Sequence, residues 1–267
     1  MENFAVFNRH KACRYGQMLY NMHDAYIGRS LDLYGEYSEG EVELFRQIVQ
    51  PGQLVVEVGA NLGAHTVFLA RQVGAAGRVM AFEPQRILFQ TLCANLALNS
   101  IPNVHGQHQA VGAESGAIMV PLLDYTRENN FGGLALGTYQ VGEQVDVVTL
   151  DSFNLPACSL LKIDVEGMEK DVLQGAVNMI ERLKPILYVE NDKPEKSTAL
   201  VQYIDALGYN MHWHRPYYFS PQNFFGNSTN VFPNIVSLNM LCIHKSFPQN
   251  LTGFEPVEVP LAPPIST

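Results

Sequence analysis

The chain has 267 residues, of which 47% are hydrophobic and 16% charged, so it is long and apolar enough to bury a substantial core. Its formal net charge of −9 argues against a protein that binds nucleic acid, because neutralising phosphates needs clustered Lys and Arg. The sequence has neither a membrane-spanning run nor a signal-peptide layout, and its four cysteines form no C-x-x-C pair, so we expect a cytoplasmic protein with reduced thiols.

Short β-branched runs alternate with helical patterns between residues 50 and 245, which is typical of parallel β-α-β units. Strands are predicted, in chain order, at 53–59, 78–84, 103–112, 159–167, 185–192, 209–215 and 235–245, with a β-excursion formed by 116–122 and 143–151. Helices are predicted at 63–73, 85–99, 168–183 and 194–208. This order predicts an α/β, Rossmann-like fold with a mostly parallel sheet of about seven strands and helices on both faces.

The chain divides into three predicted parts. Residues 1–49 form an N-terminal extension with a helix, which begins near Ser38 and has Glu41 in the capping-box position. Residues 50–245 form the main domain. Residues 246–267 form a Pro-rich C-terminal tail, which we expect to be extended and peripheral because of its prolines.

A glycine-rich turn follows the first strand of the main domain and leads into a helix. In VVEVGANLGAHT, Gly59 and Gly63 let the backbone approach a ligand closely, and the helix N-terminus offers unpaired N–H groups. Glu83 ends the second strand 20 residues after Gly63, the spacing at which an acidic side chain reaches ribose hydroxyls. The turn alone is explained equally well by tight β-α packing, but the turn and Glu83 together predict a nucleotide site.

The form of the turn indicates which nucleotide binds. The stretch G-A-N-L-G-A lacks the second glycine of the dinucleotide motif, which disfavours NAD. The pattern E-x-G-x-N-x-G, with an acid at the end of the next strand, resembles class I S-adenosylmethionine-dependent methyltransferases. More narrowly, the segments resemble the FkbM family of methyltransferases over about residues 36 to 245: VVEVGANLGAHTVFLA, AFEP, VVTLD, LLKIDVEGMEKDVLQGA, LYVEND and NMLCIHK.

The resemblance implies a class I methyltransferase fold, with residues 50–245 as the methyltransferase domain and S-adenosylmethionine as the cofactor. It also implies methyl transfer to a hydroxyl of a sugar, glycolipid or polyketide-type acceptor. The residues that it places around the methionine part and the ribose are Glu57, Gly59, Ala60, Asn61 and Gly63. It places Glu83 on the ribose hydroxyls and Gln109, Ala110 and Val111 near the adenine, although Gln109 is interpreted equally well as a surface residue.

The stretch LLKIDVEG ends in two carboxylates, which lie on one face if the chain is still extended there. By resemblance, Asp164 lies beside the methyl group and the ammonium of the cofactor. Glu166 either caps the following helix or reaches the acceptor. Glu190, at the end of the neighbouring strand, is the leading candidate for positioning the acceptor or removing its proton. His65 is an alternative base, but it is better interpreted as a packing residue.

Metal binding is a further alternative for these strand ends. Asp164, Glu190, Asn191 and Asp192 offer the oxygen atoms that hard cations prefer. Carboxylate clusters alone are weak evidence for a metal, and the resemblance implies none, so we expect a site without one. His212 and His214 share a face of a strand but have no evident third ligand, and we interpret them as structural.

Acceptor recognition is predicted in two loops, 124–133 and 215–230, which combine aromatic and polar side chains suited to sugar rings. Ordinary polar loops with local aromatic packing explain them equally well. Two other functions stay open: an NAD-dependent oxidoreductase, and a non-catalytic binding protein on the same scaffold. We expect a small-molecule, glycan or glycolipid acceptor as partner, no nucleic acid and no membrane span. Whether the chain forms a homo-oligomer stays open.

Overall fold

A computed structural model describes residues 5–137, 139–248 and 251–259. Its strands are β1 (Asn8–Cys13), β2 (Gly16–Asn21), β3 (Leu54–Val58), β4 (Arg78–Phe82), β5 (Val104–Gln107), β6 (Ala110–Val111), β7 (Gly116–Val120), β8 (Glu143–Val148), β9 (Leu160–Ile163), β10 (Ile186–Glu190), β11 (Tyr209–His214), β12 (Asn239–His244) and β13 (Glu255–Pro256). Its α-helices are α1 (Ile27–Tyr34), α2 (Glu39–Ile48), α3 (Ala64–Val73), α4 (Arg86–Leu98), α5 (Glu169–Gln174), α6 (Val177–Leu183) and α7 (Pro194–Ala206). A short 3-10 helix, Leu150–Phe153, follows β8.

The central sheet has the strand order β13-β11-β12-β10-β9-β3-β4-β5. Strands β5, β4, β3, β9 and β10 are parallel, and β12 runs antiparallel to both β10 and β11. The α/β fold and the mostly parallel sheet are therefore confirmed. The seven predicted strands are all present, and β13, from the Pro-rich tail, adds a two-residue eighth strand beside β11.

Alternating side chains of the central strands pack on opposite faces of the sheet, as the period of two requires. Val56 and Leu161 belong to a core cluster built with α5, α6 and α7, whereas Val55 and Leu160 belong to a second cluster built with α2 and α3. Helices thus cover both faces, which explains why these strands are apolar at nearly every position. Within the described ranges, none of these helices is both long and apolar enough to cross a membrane.

The predicted strand 103–112 divides between two sheets. β5 stays at the edge of the central sheet, whereas β6 pairs with β8 in a separate three-stranded sheet with β7. The chain turns between them at His108, whose Nε2 lies 3.0 Å from the carbonyl oxygen of Pro84 and whose ring stacks on Phe89. The prediction of one continuous strand was therefore wrong, because this local contact redirects the chain.

The predicted helix 168–183 is also broken, into α5 and α6. The break lies at Gly175, where a Cβ atom would be 2.0 Å from the backbone oxygen of Gly112. The Gly175 carbonyl accepts a hydrogen bond of 2.9 Å from the Asp151 N–H, and the Met179 N–H, its partner in a continuous helix, donates to Asp151 Oδ1 at 2.8 Å instead. Close packing of the helix on the loop after β6 thus replaces helical hydrogen bonds at this point.

The N-terminal extension contains more structure than predicted, since β1, β2 and α1 precede the expected helix α2. Asn95 of α4 attaches the β1–β2 hairpin: its Oδ1 accepts from the Leu19 N–H at 2.6 Å, and its Nδ2 donates to the Leu19 carbonyl at 3.0 Å. Helix α2 begins directly after Ser38, but the predicted capping box does not form. The Ser38 hydroxyl instead donates to Glu41 Oε1 at 2.8 Å, and no side chain caps the helix backbone.

Candidate functional site

Two neighbouring cavities lie at the carboxyl edge of the parallel strands, where ligands bind in open α/β sheets. The larger has a volume of about 330 Å³ and the smaller about 40 Å³. Asp164, Glu166 and Gly132 line both cavities, so the two meet at the end of β9. The larger is polar and walled partly by the N-terminal extension, whereas the smaller is lined mainly by apolar groups.

The turn between β3 and α3 lies directly against the end of β9. Gly59 has φ of 85°, and a Cβ atom there would be 1.8 Å from the backbone oxygen of Asp164. Only glycine fits this approach. Ala60 and Asn61 line the larger cavity and Gly59 lines the smaller one. Gly63 lines neither; it precedes α3 and packs against Leu92.

Glu83 is a buried carboxylate, 4% exposed, at the wall of the smaller cavity. Its two oxygens accept hydrogen bonds of 2.8 Å from the backbone N–H groups of Asn61 and Gln85. These bonds fix the carboxylate and tie the end of β4 to the glycine turn. Burial, together with the charges of Asp164 and Glu57, raises the pKa of Glu83 to about 7 despite the two donors.

The smaller cavity continues from Glu83 between β4 and β6. Gln109, Ala110 and Val111 line it, which is where the sequence places the adenine-binding group. Leu134 and Leu136 close it from the loop after Phe131. The Gln85 side chain holds that loop by donating to the Phe131 carbonyl at 2.7 Å. An apolar slot between a carboxylate and backbone groups has the lining chemistry of a nucleoside site.

Glu57 lies beneath the glycine turn and lines the larger cavity. Its Oε2 accepts a hydrogen bond of 2.6 Å from the Thr66 hydroxyl, and its Oε1 lies 3.7 Å from Lys162 Nζ. Burial raises its pKa above the ordinary range. Glu57 is thus held in place on both oxygens by the chain itself.

Lys162 also lines the larger cavity, although no sequence motif indicated it. It is 2% exposed, and its Nζ lies 3.3 Å from Asp164 Oδ2 and 3.7 Å from Glu57 Oε1. Burial alone would lower the pKa of Lys162, but Asp164, Glu57 and Glu41 together raise it, so the amine stays charged. The available signal was a lysine inside the apolar run LLKI, two residues before Asp164 and hence on the same face of the strand.

Asp164, Glu166 and Glu190 converge where the two cavities meet, and one ligand oxygen from each lies within 4.8 Å of the others. The condition of an extended chain, under which Asp164 and Glu166 share a strand face, is not met, because the φ of Glu166 is 56°. Its carboxylate turns toward Lys193 Nζ, at 2.5 Å. The role at the helix start belongs to Glu169, whose Oε1 accepts from the Gly167 N–H at 2.8 Å and the Val165 N–H at 3.3 Å.

Glu190 differs from its two neighbours in having a buried oxygen without a partner. Among the described residues, no hydrogen-bond donor reaches its Oε2. Burial and the nearby charges of Asp164 and Glu166 raise the pKa of Glu190 well above its ordinary value. The carboxyl is therefore a group that gains from any donor or cation entering the cleft.

Of the three histidines considered as candidate site residues, one lines the larger cavity and two lie on strand β11. His65 lines the larger cavity, is 5% exposed, and has an Nε2 that no other described group contacts by a hydrogen bond. Burial lowers the pKa of His65 to about 3, so the ring is neutral. His214 lies on β11, and its Nδ1 is 2.8 Å from the Tyr188 hydroxyl. His212 and His214 line neither of these cavities.

The larger cavity has an aromatic wall that comes from distant parts of the chain. Tyr26 and Tyr37 belong to the N-terminal extension, and Tyr218 belongs to the loop 215–230; the hydroxyls of Tyr37 and Tyr218 are 3.4 Å apart. From the loop 124–133, Asn130 and its neighbouring glycines complete the opposite side. Both predicted acceptor loops thus contribute to the cavity, but no sequence pattern indicated the two tyrosines of the extension.

Comparison with known proteins gives the same picture of the main domain. Residues 57–211 match the model of the methyltransferase FkbM domain. "Methyltransferase 1" of Beauveria bassiana is 28% identical over 145 residues, covering 45% of this chain and 57% of that protein. "Methyltransferase sdnD" of Sordaria araneosa is 26% identical over 154 residues, covering 45% of this chain and 59% of that protein. The chain thus spans less than two thirds of the length of these curated relatives.

Among solved structures, a methyltransferase FkbM from Methylobacillus flagellatus KT superposes with a TM-score of 0.47 at 18% identity. That comparison covers 75% of this chain and 50% of the other. The family match is the stronger finding, because it includes the glycine turn, Glu83 and all three carboxylates of the cleft and extends over more than half of the sequence. The chain belongs to the FkbM methyltransferase domain family.

Proposed function

We propose that the protein transfers the methyl group of S-adenosylmethionine to a hydroxyl of a small acceptor of the sugar, glycolipid or polyketide type. The observation that carries the proposal is the junction of two cavities. An apolar slot with Glu83 at its wall meets, at Asp164, a larger polar cavity with an aromatic wall. The names of the two curated relatives, both methyltransferases, support the reaction class.

The residues present fit the cofactor. Glu83 would accept hydrogen bonds from the ribose hydroxyls, and the slot lined by Gln109 and Ala110 would hold the adenine. Asp164 and Glu57 would face the positively charged sulfonium and ammonium groups, for which a carboxylate-rich wall is suited. When bound, the cofactor would supply an electrophilic methyl group carried on a sulfonium.

The chain's own task is then to align the acceptor and to remove one proton from its hydroxyl. Tyr26, Tyr37 and Tyr218 would pack against the acceptor rings, as aromatic side chains do with sugars. The carboxylates Asp164, Glu166 and Glu190 would face the reacting hydroxyl. Glu190 is the member with a free buried oxygen, which supports its role in positioning the acceptor or accepting its proton.

The function is tested by incubating the purified chain with methyl-labelled S-adenosylmethionine and a pool of glycans, glycolipids and polyketides. We expect label in a hydroxyl-bearing acceptor, and calorimetry should show binding of both the cofactor and S-adenosylhomocysteine. Absence of binding would contradict the proposal, and binding of NAD in its place would favour an oxidoreductase. Cofactor binding without transfer to any acceptor would favour a non-catalytic protein on this scaffold.

Glu83 should make cofactor affinity depend on pH. Because the pKa of Glu83 is about 7 in the free protein and only the carboxylate can accept from both ribose hydroxyls, S-adenosylhomocysteine should bind more weakly as pH falls below 7. The limiting slope is about tenfold in Kd per pH unit, since the ligand must compete with a proton. Calorimetry across pH 5.5 to 8.5, roughly the range around that pKa, measures the effect.

The matched variant is Glu83→Gln, which keeps the shape but has no proton to exchange in this range. It should bind S-adenosylhomocysteine more weakly at pH 8 and lose most of the pH dependence.

The free energy of unfolding of the protein without ligand should decrease as pH rises, whereas the affinity for S-adenosylhomocysteine should increase. A carboxyl whose folded pKa is raised by burial stabilises the fold at low pH, and that contribution is lost as pH rises through about 7. Equal pH profiles for the variant and the wild type would contradict this role.

A further inference from the structure

One histidine on the wall of the larger cavity is buried without a hydrogen-bond partner. His65 lies in the first turn of α3, lines that cavity and is 5% exposed. Among the described residues, none makes a hydrogen bond with its Nε2. Glu57 and Lys162 are as deeply buried on the same wall, yet both have partners. Because a buried polar atom without a partner is unfavourable, the unpaired imidazole points to a ligand.

The surroundings of His65 favour the acceptor as that ligand. The centroid of its ring lies 5.4 Å from that of Tyr37, whose hydroxyl is 3.4 Å from the hydroxyl of Tyr218. Both tyrosines belong to the aromatic wall of the larger cavity. His65 does not line the smaller cavity, which contains Glu83. The ring therefore lies beside the groups that would pack against the acceptor.

A hydroxyl is the ligand group that best fits this imidazole. A neutral imidazole has one N–H donor and one bare nitrogen, and a hydroxyl pairs with either because it both donates and accepts. Burial keeps the ring neutral, since it lowers the pKa of His65 to about 3. An anionic ligand group would meet six carboxylates and two lysines that are already paired with them. A cationic group would be drawn to those carboxylates rather than to a neutral ring.

We propose that His65 binds the acceptor through a second hydroxyl, one that does not react. The inference rests on the proposed function, in which the reacting hydroxyl faces Asp164, Glu166 and Glu190. An acceptor that reaches both these carboxylates and His65 must carry two hydroxyls, as a sugar ring or another polyol does. A buried hydrogen-bonding group discriminates against a ligand that cannot pair with it, because the group then stays unsatisfied. His65 thus selects polyols over acceptors with a single hydroxyl, a role that differs from the packing role expected from the sequence.

The test compares the wild type with His65→Phe in methyl transfer from labelled S-adenosylmethionine to the pool of glycans, glycolipids and polyketides. We expect His65→Phe to transfer label about tenfold more slowly at low acceptor concentration, as the loss of one hydrogen bond predicts. Its affinity for S-adenosylhomocysteine should be unchanged. Its Tm should be at least that of the wild type, because phenylalanine removes an unpaired polar group and packs against the same rings of Tyr37 and Phe45.

Three further variants separate hydrogen bonding from packing. His65→Leu is smaller than the imidazole and repeats the comparison without overpacking. Glutamine can place an amide near the position of Nε2, so His65→Gln should recover most of the transfer rate that His65→Phe loses. The matched control is His105→Phe, on an exposed residue of β5 that lines neither of the two cavities, and it should transfer label as the wild type does.

The labelled products of the wild type, identified by mass spectrometry, should carry the new methyl group beside a free hydroxyl. Three results would overturn the inference: equal transfer by the wild type and both apolar variants, main products from acceptors with a single hydroxyl, and a loss of S-adenosylhomocysteine affinity as large as the loss of transfer. The last result would make His65 a cofactor-binding residue. A wild type that transfers no label contradicts the proposed function itself, whereas failure of the inference alone requires an active wild type.

Discussion

Lys162→Met should lower the free energy of unfolding by about 3 to 5 kcal/mol, which is typical when one partner of a buried ion pair is removed. Lys162 is 2% exposed and lies within 3.7 Å of both Glu57 and Asp164, so its removal leaves the Glu57 carboxyl buried without its cationic partner. Methionine keeps most of the side-chain length, which limits any cavity. Urea unfolding measures the change, and calorimetry should show that S-adenosylhomocysteine no longer binds at neutral pH.

Two further variants separate charge from packing. Lys245 also forms an ion pair, with Asp205 at 2.7 Å, but on the surface, so Lys245→Met should reduce stability by less than about 1 kcal/mol. Adding Glu57→Gln to Lys162→Met should recover part of the lost stability, because it removes the acidic group that the first substitution left buried without a cation. A Lys162→Met variant as stable as Lys245→Met would show that Lys162 does not neutralise the site.

The sequence predicted the site best where one local segment determines the geometry. Gly59, Asn61 and Glu83 lie at strand ends whose order follows from β-α-β alternation, and they come together as the turn pattern indicates. The same reasoning failed for Glu166, because a period of two assumes an extended chain and the backbone there is left-handed. Local periodicity thus locates a strand end but does not determine side-chain directions in the turn beyond it.

Sequence periodicity could not predict the cavity residues that come from the N-terminal extension and from the loop 215–230. Tyr37 and Glu41 line the larger cavity, yet they belong to an N-terminal extension whose hairpin was not predicted at all. Tyr218 joins them from a loop about 180 residues later. Such juxtapositions depend on tertiary packing and leave no periodic signal in the sequence. Lys162 was only partly predictable. Its strand was predicted, but its role as the cation that pairs with three acidic neighbours follows only from the tertiary structure.

Gly59→Ala should abolish cofactor binding, with a loss of affinity of at least about 100-fold, or about 3 kcal/mol. The added Cβ atom would lie 1.8 Å from the Asp164 backbone oxygen, so the turn after β3 and the end of β9 must separate. That movement would displace both Asp164 and the Asn61 N–H that holds Glu83. Calorimetry with S-adenosylhomocysteine measures the affinity, and urea unfolding measures the accompanying loss of stability.

Gly52→Ala is the matched control, because it isolates the backbone conformation from the clash. Gly52 has the same φ of 85°, but nothing lies within 4 Å of an added Cβ atom. Both substitutions carry the conformational penalty of about 1 to 2 kcal/mol for a left-handed residue, whereas only Gly59→Ala adds the collision with β9. Gly52→Ala should therefore bind S-adenosylhomocysteine as the wild type does. If the two variants lost affinity equally, the contact between the glycine turn and Asp164 would not be what shapes the cofactor site.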